Sequence, residues 1–488
     1  MVKRLKDLLF NNRSTKQTIV KNFFWSSFGQ IGSRAIRAII IIYAARILGV
    51  AEYGAFSYAL GLAGFFTVFG DIGLNMILTR ETAKNLEEKS KYFATIFWLK
   101  IALMIITAGL IISVAPHFSK IEAAKQLIIL VAFLTLFDSL RDFVLSFFRS
   151  FEKMEWETLI NFITNIAIMV SGFAVLFYNQ SAKSLMIAYV ASTGLGALIA
   201  LLMIKKYVAK IFSSFDKSLI RPIIRSALPI ALTTFLGAFM INVDLVMLGW
   251  LKNAEAVGLY SASQKIIQIL YIIPGIFATV TFPALSRFIG GKLEETVKKL
   301  MEKIITLSLT LAIPITLGGM ILANPIIVFL YGQEYSAGSV VFQILLIPLL
   351  LIFPGQMIGN FILANDKQSK IAVWAGVTSI MNLALNYLLI PIMGITGAAV
   401  ATLISQIFYN SIAWIVGKKI TDFKTIRNLG KIAASGILMA IISFFLNKIG
   451  LNVLINIVIS GALYFGFLHL MKEKIIFETK ELFAKARG

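Results

Sequence analysis

The sequence predicts an all-α integral membrane protein with about fourteen transmembrane helices. Three observations lead to this prediction: the composition, the number and length of the apolar stretches, and the placement of basic residues between them. Of the 488 residues, 58% are hydrophobic and only 14% are charged. A soluble domain has roughly 45–50% apolar and about 25% charged residues, so the composition indicates a membrane protein.

The apolar stretches give the number of helices. A helix needs about 20 mostly apolar residues to cross the hydrocarbon core of a bilayer. Fourteen stretches fit this description, although the thirteenth is short: 21–46, 53–79, 92–115, 126–148, 157–178, 184–204, 226–250, 257–285, 304–323, 338–363, 371–390, 395–416, 432–447 and 451–470. The segments between them are short, so we expect no separate extramembrane domain.

The basic residues give the orientation. If the N-terminus is cytoplasmic, the inner loops and tails carry 35 of the 46 Lys and Arg residues and the outer loops carry six. Because Lys and Arg accumulate on the cytoplasmic side of membrane proteins, this bias predicts a multi-pass protein of the cell membrane with both termini in the cytoplasm. The net charge of +22 is then explained by topology and anionic lipids, and we expect no nucleic-acid partner.

Several function classes are excluded or disfavoured by what the sequence lacks. It contains no cysteine and two histidines, so we expect no metal site. No Walker A motif, no recognisable Ser/His/Asp set and no Asp-x-Asp at a membrane edge is present, so we expect neither ATP hydrolysis nor another enzymatic activity.

An internal repeat divides the first twelve spans into two halves. Leu-Gly ends spans 1 and 7, and a Gly-x-aromatic-Ser sequence opens spans 2 and 8, with Gly54 corresponding to Gly258. Spans 6 and 12 are both rich in small residues and both end in Lys-Lys. Repeats of this kind are typical of transporters whose substrate path lies between the halves. We therefore predict an N-terminal lobe at 1–210, a C-terminal lobe at 211–420, and two extra spans with a basic tail at 421–488.

Motifs in a fixed order carry a resemblance to a known family. They are Asn22-Phe-Phe-Trp25, Arg46-Ile-Leu-Gly49 followed by Glu52-Tyr-Gly54, Phe69-Gly-Asp-Ile-Gly-Leu74, Arg149-Ser-Phe-Glu-Lys153, and Pro391-Ile-Met-Gly-Ile-Thr-Gly-Ala-Ala399. With them the chain resembles the multidrug/oligosaccharidyl-lipid/polysaccharide exporter superfamily, and within it the polysaccharide-transport branch of O-antigen-type flippases. The resemblance covers spans 1–12. It implies two six-helix bundles around a central cavity, followed by two C-terminal helices, and transport by alternating access.

Ionisable residues inside the membrane are the candidates for function, because burying them there is costly. Arg34 and Arg37 lie in the middle of span 1, three residues apart and so on one helical face, with Gln30 one turn earlier. We expect them to bind an anionic group, because the planar guanidinium forms paired hydrogen bonds with phosphate. The alternative is a structural pair that bonds helix carbonyls or a nearby carboxylate such as Asp71.

Further polar residues divide into two groups. The other candidates for the lining of the cavity are Arg141, Lys265, Gln268 and Asn75, and the candidates for coupling to H⁺ or Na⁺ are Asp71, Asp138, Asp142 and Asp244.

Structural alternatives remain for these residues. Asp138 and Arg141 could neutralise each other, and Asp244 could pair with Lys265. Lys100 is close enough to the cytoplasmic face to reach water, so we do not count it among the candidates. The asparagines at four-residue spacing on spans 5 and 11 could line the cavity, but we favour bonds between helices for them: Asn161, Asn165, Asn382 and Asn386.

The sequence thus predicts a flippase that moves a lipid-linked oligosaccharide or polysaccharide precursor from the cytoplasmic to the outer leaflet. Its expected partners are a glycan linked to lipid phosphate or pyrophosphate, membrane lipids, and other glycan-assembly proteins as further candidates. One alternative is a cation-coupled antiporter of drugs or small molecules on the same scaffold. A second, of another class, is a membrane-embedded polysaccharide polymerase or ligase, which the short outer loops disfavour.

Overall fold

The computed structural model describes residues 10–12, 14–85, 87–424 and 429–473, and this part of the chain contains helices but no β-strand. Helices satisfy all backbone hydrogen bonds within one segment, which is required in lipid. The all-α prediction is therefore confirmed. The chain divides into two compact units, Met1–Gly258 and Leu259–Gly488. The lobes predicted from the sequence repeat have other boundaries, and they remain a prediction.

Seventeen helices longer than one turn occur in the described residues. The first unit contains α1 (Thr15–Phe66), α2 (Leu74–Lys84), α3 (Lys89–Val114), α4 (Ile128–Ser150), α5 (Met154–Tyr178), α6 (Ala182–Met203), α7 (Ile220–Leu251) and the start of α8 (Ala254–Leu270). The second unit continues with α9 (Ile272–Gly290), α10 (Glu294–Ile321), α11 (Ala323–Tyr331), α12 (Gly338–Leu346), α13 (Leu349–Ala364), α14 (Gln368–Met393), α15 (Ile395–Ile420), α16 (Leu429–Lys448) and α17 (Val453–Leu470).

These helices account for the predicted membrane spans. Within the described residues, ten helical segments are long and apolar enough to cross a membrane, and the bent pair α12–α13 makes eleven. The other three predicted spans, numbers 1, 2 and 4, correspond to the two parts of α1, to α2 and to the charged helix α4. The large apolar side chains exposed on many of these helices are the surface that lipid would cover.

Spans 1 and 2 are joined at a glycine kink, and span 2 itself is interrupted. Gly49 has φ 70° inside α1, a conformation that glycine adopts at little cost and that divides the helix into its two spans. The second break covers residues 67–73 and ends at Gly73, whose φ of 82° precedes the start of α2. The motif at 69–74 is therefore the interruption of a membrane helix.

Each unit has its own apolar core. In the first unit, large side chains of α2, α3 and α4 form a continuous buried cluster, which includes Leu78, Phe93 and Phe143. In the second unit, a cluster around Met301, Ile305 and Phe361 joins α10 to α13. These cores hold the helices of each unit at fixed distances, which positions the polar side chains described next.

The two last helices pack against α10. Asn456 lies between them and exchanges hydrogen bonds with Ser443, whose hydroxyl donates to Asn456 Oδ1 at 3.0 Å. The Tyr464 hydroxyl donates to the carbonyl of Thr310 at 2.8 Å. Because polar groups in an apolar medium need partners, these bonds fix the position of the C-terminal pair.

Candidate functional site

A polar groove runs between α1 and α5 in the first unit. It has a volume of about 210 Å³. The residues that line it are Ser26, Gly29, Gln30, Ser33, Arg34 and Arg37 from α1, and Glu157, Thr158, Asn161 and Asn165 from α5. The α1 residues recur at intervals of three and four, so they form one face of the helix. We call this the α1–α5 groove.

Two glycines bring the helices together along the groove. A methyl group on Gly29 would lie 2.7 Å from Thr158 Oγ1, and one on Gly32 would lie 2.3 Å from the ring of Phe162. The hydroxyl of Thr158 donates to the carbonyl of Trp25 at 2.8 Å. Small residues that allow close approach are a common means of helix association in membranes.

Arg37 is held by an amide. Its Nε donates to Oδ1 of Asn165 at 3.2 Å, and Nδ2 of Asn165 donates to the carbonyl of Asn161 at 2.7 Å. Asn165 is 3% exposed, whereas Arg37 is exposed to the groove side of its helix. The hydrogen bond joins two helices, which is the interpretation that we favoured for Asn165, but Asn161 and Asn165 also line the groove, which was the alternative.

Arg34 lies one turn from Arg37 and is exposed. Across the described residues, neither arginine has a carboxylate within ion-pairing distance. The predicted alternative in which Asp71 neutralises Arg34 is wrong, because Asp71 pairs elsewhere. The two guanidinium groups therefore bring unpaired positive charge to the groove, while Glu157, the carboxylate in its lining, is bonded to Arg149.

Gln30 also lies in the groove, as expected for a residue one helical turn before Arg34. Its Nε2 donates to Oγ of Ser26 at 3.2 Å. Ser33 contributes a hydroxyl that is buried and has no hydrogen-bond partner in the described part of the chain. We did not select Ser26 or Ser33 from the sequence, although their spacing from Gln30 and Arg37 is the signal that identifies them.

Asp71 and Lys100 form a buried ion pair outside the groove. Lys100 Nζ lies 2.6 Å from Asp71 Oδ1 and 3.4 Å from the Asn75 side-chain oxygen, and Lys100 is fully buried. The expectation that Lys100 reaches water is wrong, because a carboxylate on the neighbouring span holds its ammonium group. Asn75 was predicted to line the cavity, but the structure places it beside this pair rather than in the α1–α5 groove.

Asp138, Arg141 and Asp142 form a mixed-charge cluster on α4. Arg141 Nη2 lies 2.6 Å from Asp138 and 3.1 Å from Asp142, and Arg141 is 6% exposed. The i,i+3 pair, which the sequence left open as a structural alternative, is present. Asp138 interacts electrostatically with Arg37, and both aspartates interact with Lys100, so the cluster is near the groove and near the Asp71–Lys100 pair.

Asp244 and Lys265, two candidates near the start of the second repeat, belong to different units of the chain. Asp244 is 1% exposed and belongs to the first unit. Lys265 belongs to the second unit, where its Nζ lies 3.3 Å from Oε1 of Gln268. A pair between Asp244 and Lys265 remains one of the two alternatives that the sequence offers for these residues.

Two further ion pairs were missed from the sequence. Lys21, which is 1% exposed, donates to Glu155 Oε2 at 2.9 Å and joins the start of α1 to the start of α5. Arg149 binds both carboxylate oxygens of Glu157. The acidic residues at the start of span 5 were the available signal, but nothing local in the sequence indicates their partners.

The comparisons with known proteins agree with the resemblance. The sequence profile of the family described as "Polysaccharide biosynthesis protein" matches residues 19–289, and the profile described as "MatE" matches residues 229–388. The chain is 22% identical over 470 residues to the protein named "Probable low-salt glycan biosynthesis flippase Agl15" of Haloferax volcanii, covering 93% of this chain and 94% of that protein.

A second relative and a solved structure extend this similarity. The capsular polysaccharide biosynthesis protein CapF of Staphylococcus aureus is 21% identical over 394 residues, which cover 80% of this chain and 96% of that protein. The fold is similar to that of the lipid II flippase MurJ in an inward closed conformation, with a TM-score of 0.74 and 21% identity over 93% of this chain and 99% of that one. Since the first profile spans more than half of its length, this multi-pass membrane protein belongs to the polysaccharide biosynthesis protein family.

Proposed function

We propose that this chain is a flippase for a lipid-linked oligosaccharide or polysaccharide precursor, which it moves from the cytoplasmic to the outer leaflet. The observation that carries the proposal is the pair Arg34 and Arg37, two exposed cations without a carboxylate partner on one face of a membrane helix. The family, the relative named a glycan biosynthesis flippase and the relative named for capsular polysaccharide biosynthesis support it.

The groove has the chemistry that a phosphate-linked sugar requires. The guanidinium groups of Arg34 and Arg37 supply the charge and the forked geometry that phosphate or pyrophosphate accepts. Gln30, Ser26 and Ser33 add uncharged hydrogen-bonding groups along the same face, suited to further phosphate oxygens or to sugar hydroxyls. The homologous families point to a transporter rather than a catalyst.

Orientation and energy source are part of the proposal. The loop charges support a cytoplasmic membrane location with both termini in the cytoplasm. Because the sequence contains no Walker A motif, we propose that movement is coupled to H⁺ or Na⁺ or driven by the substrate gradient. Among the candidate carboxylates, Asp138 and Asp142 are the better exposed, with 37% and 42% of their side chains accessible, whereas 20% of the Asp71 side chain is accessible.

A second candidate function is a cation-coupled antiporter of small molecules. The observation that favours it is the MatE profile match across residues 229–388. The positive α1–α5 groove disfavours cationic drugs as its ligand, because two arginines repel a like charge in a medium of low dielectric constant. The two functions therefore differ in the charge of the transported molecule.

The test removes each arginine in cells from which the gene has been deleted and which are complemented by the full-length chain. Arg34→Ala and Arg37→Ala should abolish surface glycan export while membrane abundance stays normal. Arg34→Lys should retain part of the export, because an ammonium group cannot make the paired bond. Arg80→Ala is the matched control, since Arg80 is exposed and paired with Glu81 at 2.6 Å.

A double variant separates binding from structure. Adding Asp71→Asn to Arg34→Ala should restore nothing, since Asp71 is the partner of Lys100. Normal glycan export by both single alanine variants, at normal abundance, would refute the proposed function.

A further inference from the structure

We infer that Asn165 is a positioning and specificity-determining residue: it fixes Arg37 with a neutral acceptor, so that the charge of Arg37 stays available for an anion. This inference rests on the proposed function and assigns a role to a residue that does not itself bind substrate. It follows from the geometry of one hydrogen-bond chain and from a comparison with the other cations of the same unit.

The chain of hydrogen bonds fixes the orientation of the amide. Asn165 Nδ2 is committed to the carbonyl of Asn161 at 2.7 Å, so its Oδ1 must point the other way, toward Arg37 Nε at 3.2 Å. Asn165 is 3% exposed, so its side chain is confined by the surrounding helices. The amide therefore presents an acceptor, and not a donor, to the guanidinium.

The hydrogen bond at Nε leaves the edge of the guanidinium formed by Nη1 and Nη2 free. Arg37 has no other hydrogen bond or ion pair in the part of the chain that the structure describes, so Nη1 and Nη2 keep their donors. Those two nitrogens form one of the edges with which an arginine binds two oxygens of a phosphate. Asn165 thus holds the side chain at one edge while the other edge remains available.

Comparable cations in the first unit are held by carboxylates instead. They are Lys21 with Glu155, Lys100 with Asp71, Arg141 with Asp138 and Asp142, and Arg149 with Glu157. A carboxylate at position 165 would have the same size as the amide and would neutralise Arg37. The amide therefore decides whether the arginine acts as a structural ion or as a receptor for an anion.

Besides Arg34 on α1, charged and titratable groups near Arg37 come from three other helices. Asp138 on α4 and Tyr189 on α6 interact with it electrostatically, and Glu157 on α5 lines the same groove. Asp138 is directly bonded to Arg141 at 2.6 Å, and Glu157 is bonded to Arg149, so each has its own cation. Position 165 is therefore the place where one atom change, from nitrogen to oxygen, alters the charge balance of the groove.

The experiment measures binding of inorganic pyrophosphate to the purified full-length protein by calorimetry, with the temperature of unfolding recorded for each variant. Asn165→Leu should weaken binding by roughly tenfold to a hundredfold, the usual contribution of a hydrogen bond to a charged group. In an Arg37→Gln background the same change should weaken binding less than about twofold, because Asn165 acts through Arg37.

Asn165→Asp separates positioning from charge. It retains an acceptor for Arg37 but loses the donor to the Asn161 carbonyl, so the protein should unfold somewhat below the wild-type temperature but remain folded, and binding should fall by about tenfold or more because the cation is neutralised. Asn179→Asp, which adds the same charge at the exposed end of α5, should bind as the wild type does. If Asn165→Leu does not fold, pyrophosphate binding by Asn165→Asp tests the inference without it.

Three results would overturn the inference. Asn165→Asp could bind pyrophosphate as tightly as the wild type, Asn165→Leu could weaken binding equally in the wild-type and Arg37→Gln backgrounds, or the wild type could bind no pyrophosphate. Failure of the proposed function is distinguishable, because it appears as normal glycan export by Arg34→Ala and Arg37→Ala. Loss of export in those two variants together with normal binding by Asn165→Asp would reject only the role of Asn165.

Discussion

Lys100 on α3 donates to Asp71 at a distance of 2.6 Å, and this ion pair holds the non-helical segment that interrupts span 2. Asp71 Oδ2 also accepts from the backbone nitrogen of Gly73, and Oδ1 accepts from that of Asn75, both at 3.2 Å. One carboxylate thus caps the first turn of α2 and neutralises a fully buried lysine. A carboxylate at the start of a helix is favourable because it accepts hydrogen bonds from free backbone N–H groups and because it interacts with the positive end of the helix dipole.

Breaking this pair should destabilise the protein. Asp71→Asn leaves Lys100 buried without its partner charge, so the free energy of unfolding should fall by about 3–5 kcal/mol. Adding Lys100→Met removes the unpaired charge and should recover most of the loss. Thermal unfolding of the purified variants measures both effects.

The same variants test the predicted coupling role of Asp71. If Asp71→Asn unfolds like the wild type but its glycan export no longer responds to pH or Na⁺ gradients, Asp71 is a coupling residue and the structural explanation fails. Loss of stability, restored by the double variant, would move the search for a coupling carboxylate to Asp138 and Asp142.

The Lys21–Glu155 pair should stabilise the contact of α1 with α5. Because Lys21 is 1% exposed, Glu155→Gln should lower the free energy of unfolding by about 3 kcal/mol. The control is Glu122→Gln, which breaks the exposed pair with Lys125 and should cost less than about 1 kcal/mol. Equal unfolding temperatures for the two variants would contradict this prediction.

Gly54 and Gly258, which correspond in the internal repeat, lie where the backbones of α1 and α8 approach each other closely. A methyl group on Gly54 would lie 1.8 Å from the carbonyl oxygen of Ala254, and one on Gly258 would lie 2.2 Å from that of Val50. Because backbone atoms cannot move aside cheaply, Gly54→Ala should destabilise the protein by about 1–3 kcal/mol or more.

The control for Gly54→Ala is Gly109→Ala on α3, where a methyl group meets no atom within 4 Å. This change should stabilise its helix by about 0.5–1 kcal/mol, since alanine loses less conformational entropy than glycine. Unfolding temperatures measure both variants. A Gly54→Ala variant as stable as the wild type would show that α1 and α8 can separate without cost.

The predicted topology can be tested by labelling single cysteines, because the natural chain contains none. Cysteines at Lys89, Lys217 and Lys424 should be protected from an impermeant reagent added outside intact cells, and those at Lys252 and Lys448 should react. After permeabilisation all five should react, which is the control for accessibility. Reaction of Lys217→Cys in intact cells would refute the orientation.

Local rules were sufficient for those parts of the site that lie on one helix. The shared face of Gln30, Arg34 and Arg37 and the Asp138–Arg141 pair follow from the three- and four-residue spacing of a helix, whatever the rest of the fold does. Ser26 and Ser33 obey the same spacing and could have been predicted. Lys100 was misjudged because its partner lies on another span.

The amino-acid sequence alone shows that this protein is all-helical and belongs in a membrane, which family it resembles, and which charges lie within the predicted spans. These properties depend on composition, on the length of apolar stretches and on helical periodicity, all of which are local along the chain. The partners of these charges, such as the amide that binds Arg37 and the carboxylate that binds Lys100, become visible only when the helices are packed together. The physical reason is that contacts between helices depend on how each helix is rotated and how closely it packs, and in α1 and α5 this is set by Gly29 and Gly32.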